Sequence, residues 1–164
     1  MNRSYLLSLE LGQSLSRRQL TVTTAESCTG GGIAQAITDI PGSSQWFSQG
    51  FITYSNSAKQ QLLGVNPQLF EIEGAVSQAV VEAMATGALK AANAELSIAI
   101  SGIAGPDGGT VEKPVGTVWI CWLEQHAIPV SQCFQFMGDR KEIRNQAVIE
   151  ALRGIIDLAN KNTV

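Results

Sequence analysis

Apolar side chains recur at helical spacing in several parts of the chain. Leu7, Leu11 and Leu15 predict an amphipathic helix near the amino terminus, where Glu10 interrupts any signal-peptide pattern. A capping-box pattern, an acidic residue followed three positions later by a glutamate, opens the last periodic stretch. Helices are therefore expected at the amino terminus, over 29–40, over 55–63, over 77–93, and after Asp139.

Short apolar or β-branched stretches alternate with these helices. Strands are predicted over 20–25, 47–54, 96–100, 116–123 and 128–136, with a hairpin joining the last two. Residues 41–44 are expected to form a turn, and residues 64–76 to be irregular. Strands that alternate with helices imply a sheet covered on both faces. We therefore expect an α/β fold, a three-layer α/β/α sandwich with a mixed, mostly parallel central sheet.

The composition narrows the class of protein. A chain of 164 residues with 45% hydrophobic and 15% charged residues predicts one domain over 1–164 and excludes an extended disordered chain. The net charge of -3 argues against nucleic-acid binding, and no apolar stretch approaches the ~20 residues that span a bilayer. The three cysteines lack metal-ligand spacing and leave one unpaired in any disulfide scheme, which favours a cytoplasmic location.

The segment over 21–32 carries the most chemistry. A β-branched stretch leads directly into Ser27, Cys28 and Thr29 and then into three glycines. This order predicts a reactive hydroxyl or thiol on a strand-to-helix turn, with all three side chains as equal candidates. Backbone N–H groups at a helix start carry partial positive charge, so we expect an anion or an oxyanion to bind there. The alternative is a tight turn whose polar residue only caps the helix.

A second glycine-rich loop, residues 102–109, follows the strand predicted over 96–100. Both loops leave the carboxyl ends of strands, so they are expected to face one pocket. Neither loop has the G-x-G-x-x-G dinucleotide signature or the G-x-x-x-x-G-K-[ST] phosphate loop. Simple nucleotide or phosphate binding remains open.

A hydroxyl nucleophile needs a base. His126 is the only histidine and falls in the predicted hairpin turn, which argues against a Ser-His-Asp triad and against a Cys28-His126 pair. A lysine can serve when burial lowers its pKa from about 10.4. Lysines at helix ends or in a charged first turn are expected in solvent: Lys90, Lys141 and Lys161. Lys59 and Lys113 remain, and Tyr54 lies close to Lys59 in sequence as a second proton-bearing group.

Arg140 and Arg144 are four residues apart and share one face near the start of the last helix. An anionic ligand such as a phosphate would relieve their mutual repulsion. Two solvated arginines, balanced by neighbouring acids or a partner subunit, are the alternative. Glu26 and Asp107 are widely separated carboxylates without a histidine partner, so no metal site is expected.

Four motifs together resemble the nicotinamide-nucleotide amidohydrolases, a family that matches the C-terminal domain of the competence/damage-inducible protein CinA. The resemblance extends over about residues 11–158. It rests on Thr24-Ala25-Glu26-Ser27-Cys28-Thr29-Gly30-Gly31, on Tyr54-Ser55-Asn56 followed by Lys59, on Gly74-Ala75-Val76-Ser77, and on Ser101-Gly102-Ile103-Ala104-Gly105-Pro106-Asp107-Gly108-Gly109 followed by Lys113-Pro114-Val115-Gly116-Thr117-Val118.

The resemblance implies hydrolysis of the carboxamide of nicotinamide mononucleotide to nicotinate mononucleotide and ammonia, a step of NAD recycling, without a metal or organic cofactor. It implies Ser27 as nucleophile and Lys59 as general base, with Tyr54 close to both. Backbone N–H groups around residues 28–31 are the expected oxyanion donors. Substrate contacts are expected from both glycine loops and from the arginines: Cys28, Thr29, Gly30, Gly31, Gly102, Ile103, Ala104, Gly105, Arg140 and Arg144.

Two other functions stay open. One is an amidase for a different small substrate, and the other is a nonenzymatic nucleotide-binding module in which Ser27 caps a helix and Lys59 binds phosphate. Since nothing precedes Met1 that would form the larger CinA N-terminal domain, we expect the stand-alone form. The low charge and apolar surface favour a homo-oligomer, with a dimer as the expected state.

Overall fold

The computed structural model describes residues 2–161. Residues 1 and 162–164, which the predicted domain includes, lie outside the described range. In chain order the elements are α1 (Arg3–Arg18), β1 (Val22–Glu26), α2 (Gly32–Thr38), a 3-10 turn (Ser43–Gln45), β2 (Gly50–Ile52), α3 (Asn56–Leu63), α4 (Gln68–Ile72), α5 (Gln78–Ala92), β3 (Leu96–Gly102), β4 (Thr117–Glu124), β5 (Val130–Gln135) and α6 (Arg140–Asn160).

The five strands form one sheet in the order β2-β1-β3-β4-β5. β1 pairs in parallel with β2 and β3, whereas β4 is antiparallel to both of its neighbours. α1, α2 and α6 cover one face and α5 the other, with α3 packed on α5. Successive strand residues point to opposite faces, so Ile98 and Ile100 join the first core while Ala99 joins the second. The predicted α/β fold with a mixed sheet is confirmed.

The helix ends follow their sequence signals. The side chain of Ser55 accepts a hydrogen bond at the start of α3, and Gly64 ends that helix in the left-handed conformation, at φ 68°. Ser77 caps α5, and Asp139 and Glu142 form the predicted capping box of α6. These short-range patterns were sufficient because a cap involves only residues two or three positions apart.

Three segments differ from the predictions. The region over 64–76 is not wholly irregular, because α4 occupies five of its residues after Pro67; a helix this short shows no periodicity, and the proline presets a helical φ. α2 begins only at Gly32, since Gly30 and Gly31 have φ values of 60° and 101° and first complete a turn. β2 keeps three of its eight predicted residues as an edge strand paired with β1 alone.

The helix α5 approaches α3 closely where Gly87 faces the backbone carbonyl of Leu63. A Cβ atom at position 87 would collide with that carbonyl, so glycine permits this distance between the helices. None of the helices within residues 2–161 has the length and apolar character needed to cross a bilayer.

Candidate active site

Ser27 immediately follows the inner strand β1, and Lys59 lies in the first turn of α3. The Ser27 N–H donates to the Ile100 carbonyl at 3.1 Å, which continues the pairing of β1 with β3 up to this residue. The Lys59 Nζ atom lies 3.0 Å from Ser27 Oγ. The side chains are well shielded, since Ser27 is 7% exposed and Lys59 is 1% exposed. Two residues that are 32 positions apart in the chain therefore form a buried hydrogen-bonded pair.

The amine of Lys59 is surrounded by neutral oxygens. It donates to the carbonyl of Thr53 at 2.9 Å and to the carbonyl of Tyr54 at 3.4 Å, in addition to Ser27 Oγ. No carboxylate among the described residues forms an ion pair with it. Burial lowers the pKa of Lys59 from its ordinary value, because the charged ammonium loses its hydration and gains no opposite charge.

Cys28 is buried beside this pair, and its burial has the opposite consequence. Loss of hydration raises the pKa of the Cys28 thiol to about 12. The thiol is therefore protonated at neutral pH and is a poor nucleophile, because the thiolate is the reactive form. The hydroxyl of Thr29 is engaged with Glu26 at 2.7 Å. Of the three side chains that the sequence left open, Ser27 alone contacts the lysine amine.

Glu26 holds the turn that carries Ser27. Its buried carboxylate accepts hydrogen bonds from the N–H groups of Ile33 and Ala34, at 2.8 and 2.9 Å, and from the Thr29 hydroxyl. The first N–H groups of α2 are thus satisfied within the protein. The N–H groups of Ile33 and Ala34 are therefore not available to an external anion, because a carboxylate from the preceding strand already occupies this helix N-terminus. The oxyanion site expected nearer to Ser27, Cys28 and Thr29 stays a prediction. Sequence reasoning considered Glu26 only as a metal ligand and missed this role.

A cavity of about 290 Å³ opens in front of the Ser27–Lys59 pair, and we call it the Ser27 cavity. Both glycine loops reach it, as predicted from their positions after β1 and β3. Predicted residues lining it are Ser27, Cys28, Tyr54, Lys59, Gly102, Ile103, Ala104, Gly105 and Arg140. Six others belong to the family-like motifs but were not among the expected substrate contacts: Asn56, Ala75, Val76, Ser101, Asp107 and Gly108.

Arg140 connects the second glycine loop to the strand-helix turn after β2. Its guanidinium donates to the Gly105 carbonyl at 2.8 Å and to the Tyr54 hydroxyl at 3.0 Å. Tyr54 contributes in two ways, since its backbone carbonyl faces Lys59 while its side chain, which is 60% exposed, lies at the cavity mouth. Arg140 therefore stands at the rim of the Ser27 cavity with N–H donors to spare, because a guanidinium carries five.

Arg144 lies on the other side of the turn that carries Ser27, residues 27–31, which we call the nucleophile turn after its proposed role. It donates to the carbonyls of Cys28 and Thr29, at 3.1 and 3.2 Å, and does not line the Ser27 cavity. Thr29 and Arg144 instead line a neighbouring cavity of about 790 Å³ between α2, α6 and the second glycine loop, which we call the α2–α6 groove. Gly30 and Gly31 line neither cavity, and the Gly30 N–H donates to the Ser27 carbonyl at 3.0 Å.

The remaining sequence candidates lie elsewhere. The Lys113 amine donates to the Glu73 carbonyl, away from Ser27, and His126 occupies the β4–β5 turn with φ 65°. Across residues 2–161, no three metal-binding side chains come together. Glu26 and Asp107 accordingly do not share a site with a third such ligand.

Comparisons with known proteins agree on one family. The model of the CinA C-terminal domain matches residues 5–159. The nicotinamide-nucleotide amidohydrolase PncC of Pseudomonas putida is 54% identical over 155 residues, covering 94% of this chain and 96% of that protein. PncC of Escherichia coli strain K12 is 52% identical over 157 residues, covering 96% and 95%. The crystal structure of the competence/damage inducible protein CihA from Agrobacterium tumefaciens is similar at a TM-score of 0.94, with 39% identity and 96% coverage of both chains.

Proposed function

Because the chain belongs to the CinA C-terminal domain family, we propose that it hydrolyses the carboxamide of nicotinamide mononucleotide to nicotinate mononucleotide and ammonia. The names of its relatives supply the substrate class. The observation that carries the chemistry is the buried Lys59 amine at 3.0 Å from Ser27 Oγ. A serine with a desolvated lysine beside it is an activated nucleophile suited to acyl transfer.

In the first half-reaction, Ser27 Oγ attacks the carboxamide carbon while neutral Lys59 takes the hydroxyl proton. The tetrahedral intermediate then expels ammonia, which leaves with a proton returned by Lys59. An ester between Ser27 and the nicotinoyl group remains. In the second half-reaction, Lys59 takes a proton from water as the water attacks the ester, and this proton returns to Ser27 as the product departs. The product releases its remaining proton to solvent and becomes the carboxylate.

The surroundings of Lys59 orient its lone pair. A neutral amine has two hydrogens and one lone pair, and the carbonyls of Thr53 and Tyr54 are placed to accept the two hydrogens. The lone pair is then left for the hydroxyl of Ser27, which is the third neighbour of Nζ. This arrangement supports Lys59 as the general base.

The oxyanion donors come from the nucleophile turn in this proposal. The Gly30 N–H is already engaged with the Ser27 carbonyl, so Cys28 and Thr29 are the donors we favour. Arg144 donates hydrogen bonds to the carbonyls of these two residues from the opposite side. Because a trans peptide is planar, fixing the Cys28 carbonyl also fixes the Thr29 N–H, which points away from Arg144. Donors held in this way need no reorientation as charge develops on the substrate oxygen.

The substrate phosphate is assigned to Arg140. This side chain lines the Ser27 cavity, and its bonds to Gly105 and Tyr54 fix the plane of the guanidinium. A planar guanidinium with free N–H groups forms strong charge-assisted bonds to phosphate oxygens.

The proposal is tested by measuring ammonia release from nicotinamide mononucleotide. We expect activity in the wild type and a loss of at least ~10²-fold in Ser27→Ala and in Lys59→Gln, because each change removes one partner of the proton transfer. Lys113→Gln is the matched control, since Lys113 lies outside the Ser27 cavity, and it should keep wild-type activity. An active Ser27→Ala protein would disprove the nucleophile, and an inactive wild type that binds the nucleotide would favour a nonenzymatic module.

We further propose a single domain, a cytoplasmic location and a homodimer. Three cysteines are free thiols, two of them buried, which suits a reducing compartment. Exposed apolar side chains around the Ser27 cavity and α4 supply surface for self-association: Ile52, Tyr54, Leu62 and Ile72. Light scattering at micromolar concentration measures the assembly, and a monomeric mass would contradict the dimer.

A further inference from the structure

The α2–α6 groove is large enough for a ligand of its own. Its volume of about 790 Å³ lies within the range of roughly 300–1,000 Å³ found for small-molecule sites. Ala104 and Arg140 line both this groove and the Ser27 cavity, so the two spaces adjoin. The proposed reaction takes place in the Ser27 cavity and uses only Arg140 and Arg144 from the lining of the groove, whose space stays free.

Three cationic side chains line the groove, and all come from the first two turns of α6: Arg140, Lys141 and Arg144. Asp139 is the one acidic residue among the lining side chains, and it is engaged in capping α6. The Lys141 side chain forms no hydrogen bond or ion pair within residues 2–161. Cations near a helix N-terminus oppose the helix dipole, so an anion in the groove would be stabilised by three charges that otherwise repel one another.

The rest of the lining suits a base and a sugar. Gln35 on α2 and Asn145 on α6 face the groove with side-chain amides that have no hydrogen-bond partner in the described part of the chain. An amide offers a donor beside an acceptor, which matches the amino group and ring nitrogen of adenine. Pro106, Val115 and Val148 add apolar surface.

We propose that the α2–α6 groove binds an adenosine 5′-phosphate unit. The phosphate lies near Lys141 and the two arginines, and the adenine lies against the valines within reach of Gln35 and Asn145. The unit comes either from a free mononucleotide or from the adenylate half of a nicotinamide–adenine dinucleotide. In the second case the nicotinamide half of the dinucleotide extends past Arg140 into the Ser27 cavity. Only this second case rests on the proposed function.

The test is calorimetric titration of the protein with AMP and inorganic phosphate. We expect AMP to bind more tightly than phosphate, and Lys141→Gln to weaken AMP at least ~10-fold through the loss of one charge-assisted bond. Gln35→Ala should weaken AMP binding without changing phosphate binding, because it removes a proposed contact to the base. Ser27→Ala is the control and should bind AMP as the wild type does. Equal binding of AMP and phosphate, or unchanged AMP binding in Lys141→Gln, would overturn the proposal.

A competition experiment distinguishes the two sources. If the dinucleotide is the ligand, saturating nicotinamide riboside, which fills the Ser27 cavity without a phosphate at Arg140, displaces NAD⁺ from Ser27→Ala but leaves AMP binding unchanged. If the mononucleotide is the ligand, AMP binds at least as tightly as NAD⁺. Either result supports the adenylate site.

Failure of AMP and NAD⁺ to bind a protein that still releases ammonia would refute the groove as an adenylate site and leave the proposed function intact. Binding of AMP by a protein without amidase activity would support the adenylate site and refute the proposed function. A change of oligomeric mass in Lys141→Glu, without AMP binding in the wild type, would mean that a second copy covers the groove.

Discussion

Lys59 has a long cationic side chain that is almost entirely buried, and this burial changes its acid–base properties. Burial without a counterion lowers its pKa, because the ammonium loses hydration that three neutral oxygens replace only in part. Such a lysine lowers the free energy of unfolding at any pH where the unfolded chain would bind the proton more readily. The same desolvation that suits Lys59 to its proposed role as a base therefore costs stability.

This cost predicts how Lys59→Met changes stability with pH. The pKa of Lys59 is lowered in the folded state and is about 10.4 in the unfolded state. Between these two pH values the unfolded chain binds more protons than the folded chain. The free energy of unfolding of the wild type therefore rises with pH in this window, by at most ~1.4 kcal/mol per pH unit. Lys59→Met lacks this rise, so its stability relative to the wild type should fall as pH increases from 7 to 10. Urea unfolding at several pH values measures the difference. Lys113→Met should show no such trend, and parallel curves for wild type and Lys59→Met would contradict the burial argument.

Cys28 gives a second prediction at the scale of one residue. Its thiol has a pKa of about 12 and is not the nucleophile, and its proposed contribution is a backbone N–H that survives truncation of the side chain. Cys28→Ala should therefore retain activity within ~10-fold of the wild type in the ammonia assay, against a loss of ~10² or more for Ser27→Ala. A Cys28→Ala protein as inactive as Ser27→Ala would return the thiol to the mechanism.

At the scale of elements, α6 reaches both glycine loops through two arginines with different tasks. Arg140 contacts the second loop and lines the Ser27 cavity, whereas Arg144 holds the carbonyls of the nucleophile turn from behind. The sequence grouped them as one phosphate pair because residues four apart share a helix face. Their separation by the nucleophile turn became visible only in three dimensions.

The two arginines should consequently differ in kinetics. Arg140→Ala is expected to raise KM for nicotinamide mononucleotide more than for nicotinamide riboside, since only the nucleotide carries the phosphate. Arg144→Gln is expected to lower kcat on both substrates with little change in KM, and Arg144→Lys to restore part of it, because Arg144 acts as a positioning residue. Equal effects of Arg140→Ala on both substrates would remove its phosphate role, and a substrate-selective effect of Arg144→Gln would make it a ligand.

The contact between α5 and α3 controls the position of Lys59 from a distance. Gly87 lets α5 approach the carbonyl of Leu63, at the end of the helix that carries the lysine. Gly87→Ala should force the helices apart, reduce the free energy of unfolding by ~1–3 kcal/mol, and lower kcat by moving Lys59 away from Ser27. Chemical denaturation and the ammonia assay measure the two effects. The neighbouring exposed position supplies a control, Thr86→Ala, and normal stability and kcat in Gly87→Ala would show that the helices adjust freely.

For the whole molecule, the sequence predicted those features that local patterns determine. The caps at Ser55, Ser77 and Asp139 involve near neighbours, and the sheet follows from alternating strands and helices. The choice between Lys59 and Lys113 was not accessible from residue patterns, because tertiary packing decides which lysine is buried. The family resemblance selected Lys59, and the structure places its amine beside Ser27.

The capping role of Glu26 was missed for the same reason. The Glu26 carboxylate is the last side chain of a strand and accepts hydrogen bonds from the first turn of the next helix. No short-range sequence motif predicts this contact. The α2–α6 groove likewise depends on residues from two helices and a loop that only the fold assembles.

The division of labour along the chain has an evolutionary consequence. Ser27 and Lys59 both come from the stretch between β1 and α3, whereas the cations that face substrate-sized spaces come from the opening turns of α6. The proposed reactive pair and the cations proposed to recognise the substrate therefore lie in separate stretches of the chain, which meet at one cleft. Exchanging Arg140 and Lys141 while keeping Arg144, which holds the turn that carries Ser27, would retarget such an enzyme to other amides with its reactive pair unchanged, so relatives could differ in substrate while sharing one reaction.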